Sequence, residues 1–155
     1  MRILLIGAGG VGEAIVKLAA TRNFFEQMIV ADYDLSRAEG AVDWVADSRF
    51  IATKIDAGNA ANIVEVCREN NITHILNAVE PKFVPTIFSA AFTAGVDYMD
   101  MAMSLSEAHP TDPFHKPGIK LGDAQFDLTE QWERAGLLAL VGVTHDDGPD
   151  QGVHR

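Results

Sequence analysis

The chain has 155 residues, of which 48% are hydrophobic and 22% charged, enough for one well-buried domain and too few for two ordinary ones. A net charge of −10 disfavours nucleic acid and anionic membranes as partners, and no apolar run approaches the roughly 18 residues that span a bilayer. The single cysteine excludes an internal disulfide framework and a cysteine zinc cluster, and the N-terminus lacks a secretory layout, so a cytoplasmic address is expected.

Met1-Arg2-Ile3-Leu4-Leu5-Ile6 predicts a buried strand near 2–7. It enters Gly7-Ala8-Gly9-Gly10-Val11-Gly12 and continues into a helical pattern near 11–22. A second strand near 27–32 ends on Asp32, twenty residues beyond Gly12. This order of strand, glycines, helix, strand and acid is the fingerprint of a dinucleotide-binding unit. Gly7 serves the sharp turn, Gly9 leaves room for the diphosphate, and Gly12 lets the helix pack closely. Free N–H groups at the helix start face the diphosphate, and Gly7, Ala8, Gly9, Gly10, Val11 and Gly12 are read together as the cofactor-binding turn. Asp32 is the expected acceptor for the adenosine ribose hydroxyls. Asp32-Tyr33-Asp34 presents two carboxylates that would repel a 2′-phosphate, which favours NAD over NADP. Arg37 is the one nearby cation that could serve such a phosphate, its plainer role being a salt bridge to Asp34. Tyr33 is placed to cover the adenine, or is simply a half-exposed residue at a strand end.

Further along, helices are predicted near 35–46, 59–70, 83–94 and 127–135, and strands near 50–54, 73–78, 96–100 and 137–142. The alternation implies an α/β doubly wound Rossmann fold with a mostly parallel six-stranded sheet and helices on both faces. Ser36 and Asn59 are read as helix starts, Gly95 as a C-terminal stop, and Asp127 with Glu130 as a capping box. Asp56 follows the third strand, where it either accepts the adenine amino group or closes a turn. Asn77 and Ala78, at the exit of the fourth strand, are placed beside the nicotinamide ribose. Residues 104–126, with three prolines, two glycines and two histidines, read as a long loop on the ligand side of the sheet. His109, Asp112 and His115 lack the spacing of a metal site, so no metal is assigned; Cys67, in the pattern Ile63, Val64, Val66, is read as a packed hydrophobe. No nucleophile elbow, HExxH or GKS/GKT motif occurs, and no catalytic residue is assigned.

Three segments beyond the glycine loop carry a family likeness. Ala94-Gly95-Val96-Asp97-Tyr98-Met99-Asp100 resembles the AGxxYxD segment of the saccharopine dehydrogenase family, which includes lysine and carboxyspermidine dehydrogenases. Leu76-Asn77-Ala78-Val79 is similar to its fourth strand, and Trp132-Glu133 through Gly142 to its following helix and strand. The resemblance extends from residue 1 to about 143 and implies the N-terminal NAD(P)-binding domain of an oxidoreductase. It further implies hydride transfer between a nicotinamide and a carbon bonded to nitrogen in an amino acid or imine adduct. A small amino-acid-like substrate would then bind with a second domain, which is expected to be absent here, leaving this chain inactive alone and open to homo-oligomerisation. The family pattern departs at Thr144, and residues 144–155 are expected to be disordered, or the product of a frameshift. A stand-alone NAD-sensing module, similar to the regulatory domains of potassium channels and transporters, is the alternative reading.

Overall fold

A computed structural model describes residues 1–143, so the expectations for the tail at 144–155 lie outside the described residues. Six strands form one sheet in the order β3-β2-β1-β4-β5-β6. They are β1 (Arg2–Ile6), β2 (Gln27–Asp32), β3 (Phe50–Lys54), β4 (His74–Asn77), β5 (Asp97–Asp100) and β6 (Ala139–Leu140). Every pairing is parallel, as the alternating sequence pattern predicts.

Alternation along β1 explains the two layers, since neighbouring side chains on a strand point to opposite faces. Ile3 and Leu5 join Met28 and Val30 under α1 (Gly10–Ala20) and α2 (Leu35–Val45), which contribute Val16, Ala38 and Ala41. Leu4 and Ile6 join Ile29 and Ile75 on the other face, beneath α3 (Ala60–Glu69) and α4 (Val84–Ala94). That second core also holds an aromatic group: Phe88 of α4 lies edge-on to Tyr98 at 5.1 Å and 4.6 Å from Trp132 of α6 (Thr129–Ala135). Buried aromatics of this size dominate local packing energy.

The change of face has a topological cause. Right-handed crossovers from β1 and β2 step one way across the sheet, whereas the crossover through α3 carries the chain from the β3 edge to the far side of β1. The chain therefore leaves β1 and β4 towards opposite faces, which opens a crevice at their carboxyl ends.

The ends of several elements differ from the sequence reading. Asn59 caps α3 by accepting from the Asn62 amide, and Gly95 ends α4 in the left-handed region, both as expected. The second helix is instead capped by Asp34, whose Oδ1 accepts from both the amide and hydroxyl of Ser36. These bonds hold the Asp34 carboxyl below its ordinary pKa. The Asp127 and Glu130 box does not form: a separate turn, α5 (Asp123–Phe126), ends at Asp127, and α6 begins after Leu128 with no side-chain cap. The 104–126 excursion thus closes on a helical turn and is pinned by two backbone hydrogen bonds of 2.9 Å between Glu107 and Ile119. β6 is shorter than expected because only Ala139 and Leu140 find partners on β5. Among the described residues no helix is long and apolar enough to cross a membrane.

Phe88→Ala removes the centre of the aromatic group and is expected to cost about 3–5 kcal/mol in urea unfolding. Leu18→Ala, on an exposed side of α1, is expected to stay within about 0.5 kcal/mol of wild type.

Candidate functional site

The crevice is walled by the turn from β1 to α1, where four glycines meet three different environments. Gly7 has φ +105°, and a Cβ there would lie 2.7 Å from Val79 Cγ1 and 2.8 Å from the Ala78 carbonyl oxygen. Gly12 is tighter still, since its Cβ would fall 1.8 Å from the Gly7 carbonyl oxygen. Gly9 and Gly10 face open space, with nothing within 4 Å of either ideal Cβ. The turn is closed on its inner sides and vacant above, the shape a diphosphate needs to approach backbone. Gly9 caps α1 without a side-chain hydrogen bond, so the first-turn amides of Gly10, Val11 and Gly12 precede the regular helical ladder and add their dipoles towards that vacancy. These residues fit a dinucleotide on steric and electrostatic grounds.

Asp32 ends β2 beside this turn and is 6% exposed. Its Oδ2 accepts from the Ala8 amide at 2.8 Å and its Oδ1 from the Asp34 amide at 3.0 Å. A carboxylate offers about four lone-pair directions, so two remain. The acid that ends β2 therefore also holds the glycine turn in place, a role the spacing argument did not contain. Tyr33 is 68% exposed next to it, with the Arg37 guanidinium 5.8 Å from its ring centre. Arg37 thus lies over an aromatic face instead of pairing with Asp34. Together Asp32, Tyr33, Lys54, Asp56 and Phe83 line one cleft. Asp56 is exposed there and its Oδ1 accepts from the Gly58 amide at 2.8 Å, so it closes a turn and still faces the cleft.

The other half of the crevice differs from expectation. Ala78 donates its amide to the Ile6 carbonyl, so the β4 exit runs against the glycine turn. Asn77 is only 1% exposed and its side chain turns inward. Its Oδ1 accepts from the Val79 amide, and its Nδ2 donates to the Tyr98 hydroxyl at 2.9 Å. That hydroxyl donates to Asp100 Oδ2 at 2.9 Å, Gln125 Nε2 donates to the same oxygen at 2.8 Å, and the Gly142 amide donates to Oδ1 at 2.6 Å. Burial, chiefly, pushes the Tyr98 hydroxyl pKa up, which keeps it a donor. Gln125 Oε1 in turn accepts from the Ser104 amide. Sequence reasoning gave no role to Asp100, Gln125 or Ser104. The available signal was a polar residue ending each of two adjacent buried strands, Asn77 and Asp100, which are register partners.

The remaining candidates stand apart. His115 Nδ1 lies 2.9 Å from Asp112 and His109 Nδ1 accepts from nearby backbone amides, both in the 104–126 loop. Among the described residues no three His, Cys, Asp or Glu side chains converge as a metal would require. Cys67 is buried and its thiol is pushed up to about 12, so it is a packing residue.

Comparison with known proteins gives a consistent picture. The family model described as "Saccharopine dehydrogenase NADP binding domain" matches residues 3–140. Carboxyaminopropylagmatine dehydrogenase of Synechocystis is 23% identical over 95% of this chain and 35% of its own length. Carboxynorspermidine synthase of Vibrio cholerae is 24% identical over 96% of this chain and 37% of its own. The chain therefore spans about a third of these curated relatives. Among solved structures, apo saccharopine dehydrogenase (L-Glu forming) from Saccharomyces cerevisiae superposes with TM-score 0.68 at 18% identity, covering 95% of this chain and 28% of that one. The dTDP-glucose 4,6-dehydratase of Bacillus anthracis, solved with NAD, gives 0.61 at 15% identity over 91% of this chain and 53% of that one. At these identities the superpositions speak for the fold.

The glycine environments separate two substitutions. Gly12→Ala forces the Gly7 backbone to move and is expected to cost at least about 2 kcal/mol, whereas Gly10→Ala is expected to change stability by less than about 1 kcal/mol. Thermal unfolding of both variants checks the contrast.

Proposed function

The chain belongs to the saccharopine dehydrogenase NADP-binding domain family, and from that premise we propose that it binds NAD in preference to NADP as the cofactor domain of an amino-acid-linked oxidoreductase. The observation that carries this reading is the vacant space over Gly9 and Gly10 at the start of α1, bordered by the Asp32 carboxylate.

The residues divide the work. The backbone amides of Gly9, Gly10, Val11 and Gly12 hold the diphosphate, and their fixed dipoles do so despite the chain's net charge of −10. Those of Gly7 and Ala8 are already bonded to the Ala31 carbonyl and to Asp32. Asp32 uses its free lone pairs for the ribose hydroxyls, and the same negative charge opposes a 2′-phosphate. Tyr33 and Asp56 border the adenine, while Asn77 and Ala78 shape the floor beneath the nicotinamide ribose through their backbone. Arg37, already over the Tyr33 ring, and Lys54, which lines the same cleft, are the cations through which NADP would gain any foothold.

When bound, the nicotinamide supplies hydride acceptance or donation. In this proposal the carbon exchanging hydride is bonded to nitrogen in an amino-acid-derived substrate, a reading supported by the similarity to saccharopine dehydrogenase and carboxyaminopropylagmatine dehydrogenase. This domain orients the ring, and a substrate domain such as the longer relatives have room for supplies the remaining contacts. A cytoplasmic address belongs to the same proposal.

Calorimetric titration of the 155-residue chain with NAD, NADH, NADP and NADPH tests the reading. NAD and NADH are expected to bind at least about tenfold more tightly than their 2′-phosphorylated forms, and Asp32→Ala is expected to weaken NAD by about ten- to a hundredfold, the scale of hydrogen bonds to a charged group. Gly9→Val is expected to abolish binding while melting near wild type. Equal affinity for NAD and NADP, or unchanged NAD binding by Gly9→Val, would contradict the proposal.

A further inference from the structure

The geometry points to Asp100 as a fixed, unneutralised negative charge that biases the nucleotide site towards the oxidised, cationic nicotinamide. The inference rests on the dinucleotide reading above and adds the redox state that the site prefers.

The donors of the buried cluster converge on Asp100. The Val79 amide donates to Asn77 Oδ1, which orients that side-chain amide and makes Nδ2 the donor to Tyr98. The Tyr98 oxygen already accepts, so its single proton goes to Asp100 Oδ2. The Ser104 amide donates to Gln125 Oε1, which fixes Gln125 Nε2 as the second donor to Oδ2. The Gly142 amide is a third donor, to Oδ1. Asp100 thus accepts from three neutral groups and gives a proton to none of them, the pattern of a carboxylate.

Among the described residues no cation balances that charge at contact. Asp100 is 0% exposed, and the salt bridges among the described residues do not include it. The charged pair on the β4 exit, Glu80 and Lys82, is exposed and self-compensating at 2.6 Å. Three hydrogen bonds to neutral donors stabilise a buried carboxylate but leave its unit charge, which acts over a longer range in a low-dielectric interior.

Its position decides what that charge acts on. Asp100 is the register partner of Asn77, and Asn77 is the partner of Ile6, the last residue before the glycine turn. It therefore sits at the carboxyl end of the β4-β5-β6 half of the sheet. In a fold built from two mononucleotide-binding halves, with β1-β2-β3 serving the adenosine, this half serves the nicotinamide nucleotide. The oxidised ring carries a positive charge and the reduced ring none, so a nearby negative charge discriminates between them although their shapes are close. By linkage the same charge makes the bound oxidised form harder to reduce, because gaining a hydride removes the favourable interaction.

The test is the ratio of NADH to NAD dissociation constants for the full 155-residue chain, measured for wild type, Asp100→Asn and Tyr98→Phe. Asp100→Asn is expected to weaken NAD selectively, shifting the ratio towards NADH on the order of tenfold, the scale of unit charges about 10 Å apart at an effective dielectric of ~20. Tyr98→Phe damages the same cluster but leaves the charge with one fewer donor, so its ratio is expected to move the opposite way, towards NAD. A purely structural Asp100 would weaken both forms together, and an unchanged ratio in Asp100→Asn overturns the inference. Should Asp100→Asn fail to fold, a Tyr98→Phe ratio that is unchanged or moves towards NADH overturns it instead. Binding of neither form by wild type would overturn the dinucleotide reading and this inference with it, an outcome distinct from binding without discrimination.

Discussion

The approach of Gly12 to the Gly7 carbonyl is the constraint on which the site depends. With 1.8 Å between an ideal Cβ and that oxygen, no side chain fits unless the turn moves. The contact sets how closely α1 starts to the end of β1, and so where the first-turn amides point. Asp32 secures the turn from the other side by accepting from Ala8, which couples the end of β2 to the loop leaving β1. One buried carboxylate thus holds the backbone of the turn and, in the proposed reading, keeps lone pairs for a ribose. Mutation at Asp32 should consequently be read with both roles in mind.

The second half of the sheet uses a different device. Where β1 and β2 end in a glycine turn and a partly occupied acid, β4 and β5 end in Asn77 and Asp100, both buried and joined through Tyr98. Gln125 and Gly142 reach the same carboxylate from the long loop and from the chain beyond β6. Two segments distant in sequence are thus tied to the end of β5 by one acceptor, and the 104–126 excursion returns to the sheet through α5. Such a cluster is costly to disturb, because each lost partner leaves a buried polar group unsatisfied.

How much of this was legible in the sequence follows from the range of the interactions involved. Ile3 to Ile6 and Met28 to Ala31 announce buried strands because burial on both faces demands continuous apolar residues. Gly7 and Gly12 announce the turn because sterics leave little choice. Helix starts were less legible: Asp34 and Ser36 are both good capping residues, and only the backbone decides which one accepts. Asp127 and Glu130 had the right spacing but were separated by a helix break at Leu128. The cluster at Asp100 was not legible, since Gln125 lies 25 residues away and Gly142 lies 42 away, in segments without periodicity. Asn77 ends β4 as its place in the pattern implies, yet the direction of its side chain depends on Tyr98 from another strand.

The central claim is that backbone amides of the glycine turn bind the diphosphate, and amide-resolved NMR titration of the chain with NAD tests it most directly. The account predicts that the largest saturable shifts fall on Gly9, Gly10, Val11 and Gly12, with Tyr33 and Asp34 following. Saturable shifts centred elsewhere, such as the open groove between α3 and α4 lined by Asn62, Arg68 and Thr93, with the glycine amides unmoved, would contradict it.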